Sequence, residues 1–247
     1  MRGALAGAVA VLSLLAGTAA PPAQGVVHPA ATRASAAAGT VARPPIVWRP
    51  IPFPARRKAE MAAYSARHYG TRTWRLTDPK VIVEHYTAGL TFQGAWNTFA
   101  SNARHDGELP GTCAHFVIDR DGTIYQLVPL GTRCRHAVGM NYTAIGIEHV
   151  GTSDAMVLGD AAQMRSSLRL TLWLMQTFHI RIRNVIGHNE TLYSPFRHEL
   201  VPSWHCLVHA DFPHGPMTVY RHRLRALAAT HGLSLGRGPR WVNVYGC

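Results

Sequence analysis

The chain has 247 residues, a length that suits one domain of the larger kind or one domain with long flanks. Its formal net charge of +12 comes almost entirely from arginine, because Lys58 and Lys80 are its only lysines. This charge favours a polyanionic partner, although solubility and a base composition that favours arginine codons explain it equally well. The chain has neither a recognition-helix motif nor a basic run with interleaved aromatic residues, so nucleic acid is not an expected partner.

The first 23 residues have the pattern of a secretory signal peptide. Arg2 supplies the positive start, Ala4–Leu15 is apolar, and residues 16–20 are small enough for cleavage. The apolar run is too short to span a bilayer comfortably, which argues against a membrane anchor. We therefore expect cleavage, loss of the charge of Arg2, and a secreted, extracellular protein without an integral membrane segment.

Residues 24–54 are rich in Ala and Pro and show no apolar periodicity, which predicts a flexible or extended linker. Beyond it, strands alternate with helices, and this order predicts a single α/β domain over residues 55–247. The predicted helices are Arg56–Tyr69, Phe92–Ala103, Asp160–His179 and Met217–Thr230. The predicted strands are Lys80–Tyr86, Ala114–Ile118, Thr123–Val128, Ala144–His149 and Asn184–Ile186, with a hairpin around Asp121-Gly122.

Four cysteines lie in the predicted domain: Cys113, Cys134, Cys206 and Cys247. An even number in a secreted chain suggests two disulfides, for which three pairings exist. We favour Cys113–Cys134, which flanks the hairpin, and Cys206–Cys247, which would tie down the C-terminus. The competing interpretation is that Cys206 is a metal ligand.

Two histidines and one carboxylate suggest a metal site that the fold assembles. His85 and His188 each follow a short apolar strand, so neighbouring strands could bring them together across 103 positions. Gly187 would let another backbone approach closely. In a chain with 15 histidines, each of the two alone is more readily a surface residue. Glu148 interrupts an apolar strand, where a carboxylate needs a partner such as water on a metal ion, unless it faces solvent.

Four stretches in chain order resemble the type 2 family of N-acetylmuramoyl-L-alanine amidases, which includes the peptidoglycan recognition proteins. They are V-I-V-E-H-Y-T (Val81–Thr87), C-A-H-F-V-I-D-R-D-G-T-I-Y-Q (Cys113–Gln126), I-G-I-E-H-V-G (Ile145–Gly151) and V-I-G-H-N-E (Val185–Glu190). The hairpin stretch is the most specific, and R-H-A-V-G-M-N-Y-T follows it. The similarity extends from about Lys80 to about Pro213.

The resemblance implies a central mixed β-sheet flanked by helices, with one Zn²⁺ in an open groove. His85 and His188 match the family's zinc histidines, Glu148 its catalytic glutamate, and His136 a histidine that lines the substrate groove. Family members hydrolyse the amide bond between N-acetylmuramic acid and L-alanine of peptidoglycan. Glu148 would take a proton from the attacking water and pass it to the departing amine.

The third zinc ligand is the point where the chain departs from the family pattern. Relatives place Asp or Cys shortly after the second histidine, often two residues after a Lys. His209-Ala210-Asp211-Phe212-Pro213 resembles the Lys-x-Asp-Pro form of this pattern, with His in place of Lys. We therefore assign Asp211 as the third zinc ligand and His209 as the residue that stabilises the oxyanion. Cys206 is the alternative ligand.

The expected substrate is peptidoglycan glycopeptide at the cell wall, and the basic charge suits anionic wall polymers as further partners. A non-catalytic recognition module would use the same groove, but such relatives typically lose a zinc ligand, and candidates for all ligands are present here. A zinc peptidase that cuts within the stem peptide is a third hypothesis, which the reaction products would distinguish.

Overall fold

The computed structural model describes residues 39–247, and the predicted signal peptide lies outside the described residues. In this part a six-stranded sheet has the order β1-β4-β3-β5-β2-β6. The strands are β1 (Val47–Trp48), β2 (Val81–Tyr86), β3 (Phe116–Ile118), β4 (Ile124–Gln126), β5 (Ala144–His149) and β6 (Val185–Gly187). Neighbouring strands are parallel, except that β3 and β4 form an antiparallel hairpin. The predicted mixed sheet is therefore confirmed.

Five α-helices pack around this sheet in the described residues: α1 (Ala55–Tyr69), α2 (Phe92–Ser101), α3 (Asp154–Gly159), α4 (Ala161–Thr177) and α5 (His214–Thr230). Every predicted helix and strand is present, with ends shifted by a few residues. Helix α1 ends at Gly70, whose left-handed backbone suits a residue without a side chain. The sequence patterns missed α3 and β1, because elements of six and two residues are too short to show a period.

The predicted boundary between linker and domain, at residue 55, is too late. Val41 and Ile51 are buried, and Val47–Trp48 pairs with β4 as an edge strand. The backbone N–H of Ile51 donates to the carbonyl of Leu127 at 3.0 Å. A proline-containing segment can pair in this way at the edge of a sheet, where few of its N–H groups are needed. The packed domain therefore includes part of the segment for which the Ala- and Pro-rich composition predicts a linker.

The two faces of the sheet have different roles. Ile145 and Ile147 of β5 lie in the main core with helices α4 and α5. Because side chains alternate along a strand, Gly146 and Glu148 lie on the opposite face. In the parallel pairing of β5 with β2, Gly146 lies beside Val83 and Glu148 lies beside His85. Glu148 and the candidate metal ligand His85 thus share the face away from α4 and α5.

Both predicted disulfides, Cys113–Cys134 and Cys206–Cys247, are present. The first connects the segments that flank the hairpin, and the second holds the C-terminal tail. Within residues 39–247, no helix has both the length and the apolar character that crossing a membrane would require.

Candidate metal centre and catalytic groove

His85 and His188 lie at the ends of adjacent strands, as the sequence predicts. Strand β2 lies between β5 and β6, and His188 directly follows β6. The backbone N–H of His188 donates to the carbonyl of Glu84 at 3.1 Å, which extends the pairing by one residue. The fold therefore brings the two histidines into contact, although 103 positions separate them in the sequence.

The loop before α5 brings Asp211 to the same place. The backbone N–H of Asn189 donates to the carbonyl of Asp211 at 2.9 Å, and Asp154 accepts the N–H of Phe212 at 2.7 Å. A side chain at Gly187 would overlap the carbonyl oxygen of Phe212, so this approach requires glycine. These contacts fix the loop on both sides of Asp211.

The three candidate ligands form a small triangle of donor atoms. Nδ1 of His85 lies 3.0 Å from Nδ1 of His188, and these nitrogens lie 3.3 and 3.1 Å from the two carboxylate oxygens of Asp211. Zinc bonds of about 2.0–2.1 Å in a tetrahedral site place ligand atoms roughly 3.3 Å apart. All three side chains are buried. The cluster could therefore hold a metal ion.

The ionisation state of Asp211 is consistent with metal binding. Burial alone would raise the pKa of Asp211, but hydrogen bonds from His188 and His85, together with their charges, outweigh it and hold the pKa well below its usual range. A carboxylate that stays ionised is ready to bind a cation without first releasing a proton.

His136 contacts Nε2 of His85, the ring nitrogen that does not contact His188 and Asp211. Nε2 of His85 lies 3.0 Å from Nδ1 of His136, whose own Nε2 lies 3.4 Å from the carbonyl of Ala144. Burial, followed by the nearby charges of His85 and His115, keeps the pKa of His136 well below its usual value. If the neutral His136 donates to Ala144, its Nδ1 accepts from His85 and leaves Nδ1 of His85 free for a metal.

Glu148 has the environment of a carboxyl group that exchanges a proton. It is 9 % exposed, and its Oε2 has no hydrogen-bond partner among residues 39–247. Burial raises the pKa of Glu148 to about 7, with His85 lowering it and Asp211 raising it further. Because an unpaired buried oxygen is costly, this atom indicates a position for water or a substrate group.

The six predicted site residues line one open groove with a volume of about 560 Å³: His85, His136, Glu148, His188, His209 and Asp211. The exposed ring of His209 stacks on the ring of His188, with centroids 4.8 Å apart and planes 17° apart. It therefore lies beside the donor-atom triangle and faces the space a substrate would occupy.

Cys206, the alternative third ligand, is not part of the cluster. Its sulfur is bonded to Cys247, so no thiolate is available for a metal.

The sequence patterns missed two groups that support the groove. Arg135 is buried and donates to the carbonyls of His105, Glu108 and Pro110, which fixes the loop at one end of the groove. Asn141 accepts the N–H of His136 at 2.8 Å. Both look like ordinary polar residues in the sequence, and no local pattern distinguishes them.

Comparison with known proteins agrees with this geometry. The family model described as N-acetylmuramoyl-L-alanine amidase matches residues 75–202, slightly more than half of the chain. The chain belongs to this family. The matched region includes His85, His136, Glu148 and His188, whereas Asp211 lies beyond it.

Several solved structures of amidases are similar to this chain. The endolysin LysCS from Clostridium intestinale URNW is 25 % identical, with 60 % of this chain and 83 % of that chain covered and a TM-score of 0.45. AmiD from E. coli, solved with anhydro-N-acetylmuramic acid-L-Ala-D-γ-Glu-L-Lys, is 24 % identical, with 45 % and 49 % covered and a TM-score of 0.37. Staphylococcus aureus hydrolase AmiA is 16 % identical, with 79 % and 89 % covered and a TM-score of 0.48. No curated protein matches the chain.

Proposed function

We propose that the protein is a secreted, zinc-dependent N-acetylmuramoyl-L-alanine amidase that hydrolyses the amide bond between N-acetylmuramic acid and L-alanine of peptidoglycan. One observation carries the proposal. In a member of the amidase family, the Nδ1 atoms of His85 and His188 lie 3.0 Å apart and each lies 3.1–3.3 Å from a carboxylate oxygen of Asp211, while Glu148, the register partner of His85, has an oxygen without a hydrogen-bond partner in residues 39–247.

Zinc suits this donor set. His85, His188 and Asp211 would hold the ion through two imidazoles and one carboxylate, a ligand set found in catalytic zinc sites. When bound, zinc would lower the pKa of water to about 7 and polarise the carbonyl of the scissile amide. His136 would hold His85 in the tautomer that presents Nδ1.

Glu148 would move the proton. A carboxylate within reach of the attacking water accepts its proton and then donates it to the departing amine of L-alanine. Efficient transfer in both directions needs a pKa near the working pH, and burial raises the pKa of Glu148 to about 7. His209, exposed to the groove, would donate a hydrogen bond to the oxyanion that develops on the lactyl carbonyl.

Two features support secretion. The first 23 residues have the composition of a signal peptide, and all four cysteines of the chain are in disulfides, which persist in oxidising compartments. We accordingly propose that the protein acts at the cell wall.

The test combines metal content with the masses of the products from a peptidoglycan digest. We expect one zinc per chain, and release of intact stem peptides that begin with L-alanine. Asp211→Ala should lose both the zinc and the activity, while Asp78→Asn, which changes an exposed carboxylate, should keep both. Cleavage within the stem peptide would instead identify a peptidase. Metal-free wild-type protein that binds glycopeptide without cleaving it would identify a recognition module.

A further inference from the structure

A second cavity, with a volume of about 630 Å³, lies beside α5. Five arginines line it: Arg183, Arg221, Arg225, Arg237 and Arg240. We call it the arginine cavity. None of its lining residues lines the metal groove, and none is acidic. It is therefore separate from the catalytic site and strongly positive.

Four of the five guanidinium groups have no acidic partner. Arg221 is buried and forms two bonds with Glu190, at 2.6 and 2.9 Å. The other four form no ion pair within residues 39–247, and residues 1–38 contain no Asp or Glu that could supply one. The last 36 residues of the chain, which contribute most of the lining, also lack any acidic residue. Arg183, Arg237 and Arg240 are exposed, so their guanidinium groups are free to contact an anion, and four unpaired positive charges around one cavity give it a positive potential.

The cavity is held in shape by anchors along the C-terminal tail. The Cys206–Cys247 disulfide fixes its end, and the backbone N–H of Val242 donates to the carbonyl of Tyr193 at 2.8 Å. The hydroxyl of Tyr245 accepts the N–H of Glu199 at 2.7 Å. Arg237 and Arg240 are therefore carried on an anchored segment, which lowers the entropy that a ligand must remove.

Trp241 completes the wall of the cavity. Its ring lies edge-on to the ring of His214, with centroids 5.5 Å apart, and the guanidinium of Arg221 lies 5.9 Å from its centroid. These contacts hold the indole against α5. An aromatic surface beside guanidinium groups suits the carbon backbone of a ligand whose charged groups contact the arginines.

We propose that the arginine cavity binds the phosphate groups of an anionic wall polymer, a chain of polyol units joined by phosphodiesters. The planar guanidinium fork matches two phosphate oxygens and is the preferred protein group for phosphate. The choice of a wall polymer among phosphate polyanions rests on the proposed function, because peptidoglycan carries such chains beside the substrate. Binding would hold the enzyme on the wall while leaving the groove free.

Other phosphate polymers match the cavity less well. Single-stranded nucleic acid is usually bound by a series of stacking aromatic residues, whereas in the described part of the chain only Trp241 and His214 contribute aromatic rings to the lining of this cavity. A bilayer presents a flat surface. Side chains that protrude from a protein contact such a surface better than arginines that surround a concavity. A flexible polyol-phosphate chain can enter a concave site with successive phosphates.

The experiment compares two triple variants of the full mature chain for binding to a lipid-free poly(glycerol phosphate) probe. Arg183→Gln/Arg237→Gln/Arg240→Gln removes three charges from the arginine cavity. The matched control, Arg72→Gln/Arg165→Gln/Arg169→Gln, removes three exposed charges elsewhere. Calorimetry at several salt concentrations gives the affinity and its salt dependence, and thermal unfolding shows whether each variant is folded.

We expect the wild type and the control to bind within about three-fold of each other and the cavity variant to bind roughly ten-fold or more weakly, with a shallower salt dependence. Equal losses in the two variants would mean that net charge alone drives binding and would overturn the proposal. So would undiminished binding by the cavity variant. Binding to phosphatidylglycerol vesicles or to single-stranded DNA, without binding to the probe, would replace the wall polymer with a lipid surface or a nucleic acid.

A second readout separates this proposal from the proposed function. Hydrolysis of peptidoglycan from which anionic polymers have been stripped should be the same for the cavity variant and the wild type. If the stripped substrate is cleaved but the probe is not bound, the polymer site fails alone. If the probe is bound through the arginines but no substrate is cleaved, the amidase proposal fails alone.

Discussion

Glu148 is the register partner of His85 on the neighbouring parallel strand, so the proposed proton carrier and a proposed metal ligand lie side by side on one face of the sheet. Strand pairing, rather than a loop, sets their separation. A site on paired central strands is held more rigidly than one on loops, which suits a reaction that needs fixed distances between ligand and base.

Replacing Glu148 by Gln should abolish turnover while the metal stays bound. The amide has nearly the same shape but cannot take the proton of the attacking water, and losing general acid–base catalysis typically costs about 10²–10⁴-fold in rate. The measurement is kcat on peptidoglycan fragments together with zinc content. If Glu148→Gln lost its zinc, Glu148 would belong to the metal site rather than to proton transfer.

At His209, Lys should substitute for His and Ala should not. The ring of His209 is exposed and stacked on His188, so a longer flexible side chain can be accommodated there. The lysine ammonium can donate to the oxyanion as an imidazole N–H does, so we expect His209→Lys to retain activity. His209→Ala should lose roughly 10²-fold in kcat with little change in zinc content. Equal activity of the Ala variant and the wild type would exclude oxyanion stabilisation by this residue.

The strand-end histidines and Glu148 could be found in the sequence because short apolar runs predict buried strands, and a polar residue within or directly after such a run stands out. Asp211 could be found only through its resemblance to the family pattern. It lies in an irregular loop, where neither periodicity nor local spacing indicates what the side chain faces.

The supporting groups could not be found in the sequence because their roles depend on packing between distant segments. Asp154 precedes Phe212 by 58 positions and accepts its N–H, while Arg135 is buried among backbone carbonyls. In a sequence, a charged residue is expected at the surface, and burial of such a residue depends on partners that folding provides. The composition around Ile51 predicts a linker for a similar reason, since the β4 strand with which this segment pairs comes about 75 residues later.

Gly187→Ala should destabilise the protein and weaken metal binding together. The added methyl group would overlap the carbonyl of Phe212, which adjoins the proposed ligand Asp211, and the loop must shift to admit it. Overpacking of this kind costs about 1–3 kcal/mol. The measurements are the free energy of unfolding and the affinity for zinc.

Gly215→Ala is the matched control for this effect, because a methyl group there meets no atom within 4 Å. Because Gly215 lies in the first turn of α5 and Ala is the better helix former, this variant should leave the zinc affinity unchanged and keep or slightly raise the stability, by up to about 1 kcal/mol. If Gly187→Ala behaved like Gly215→Ala, close approach of the loop to β6 would not be what positions Asp211.

The free energy of unfolding should fall in mild acid because His115 is buried in its neutral form. This histidine is fully buried, accepts the N–H of Gly146 at Nδ1 and lies 2.9 Å from the carbonyl of Thr132 through Nε2. Burial lowers its pKa to about 4, with the hydrogen bond to Thr132 opposing the shift. In the unfolded chain its pKa returns to about 6.5, so the unfolded state binds more protons between these values. Stability contributed by neutral His115 is therefore complete above pH ~6.5 and is lost as the pH falls toward 4.

Denaturant unfolding at pH 7.5 and pH 4.5 measures this loss, which should be on the order of 2–3 kcal/mol for His115. His115→Gln should be less stable at pH 7.5 but should lose less stability on acidification than the wild type does. His222→Gln, which changes an exposed histidine, should follow the wild type. Protonation of the proposed metal ligands affects all three proteins alike, so the differences between them isolate His115. Parallel acid losses in all three would show that His115 is not the group that titrates.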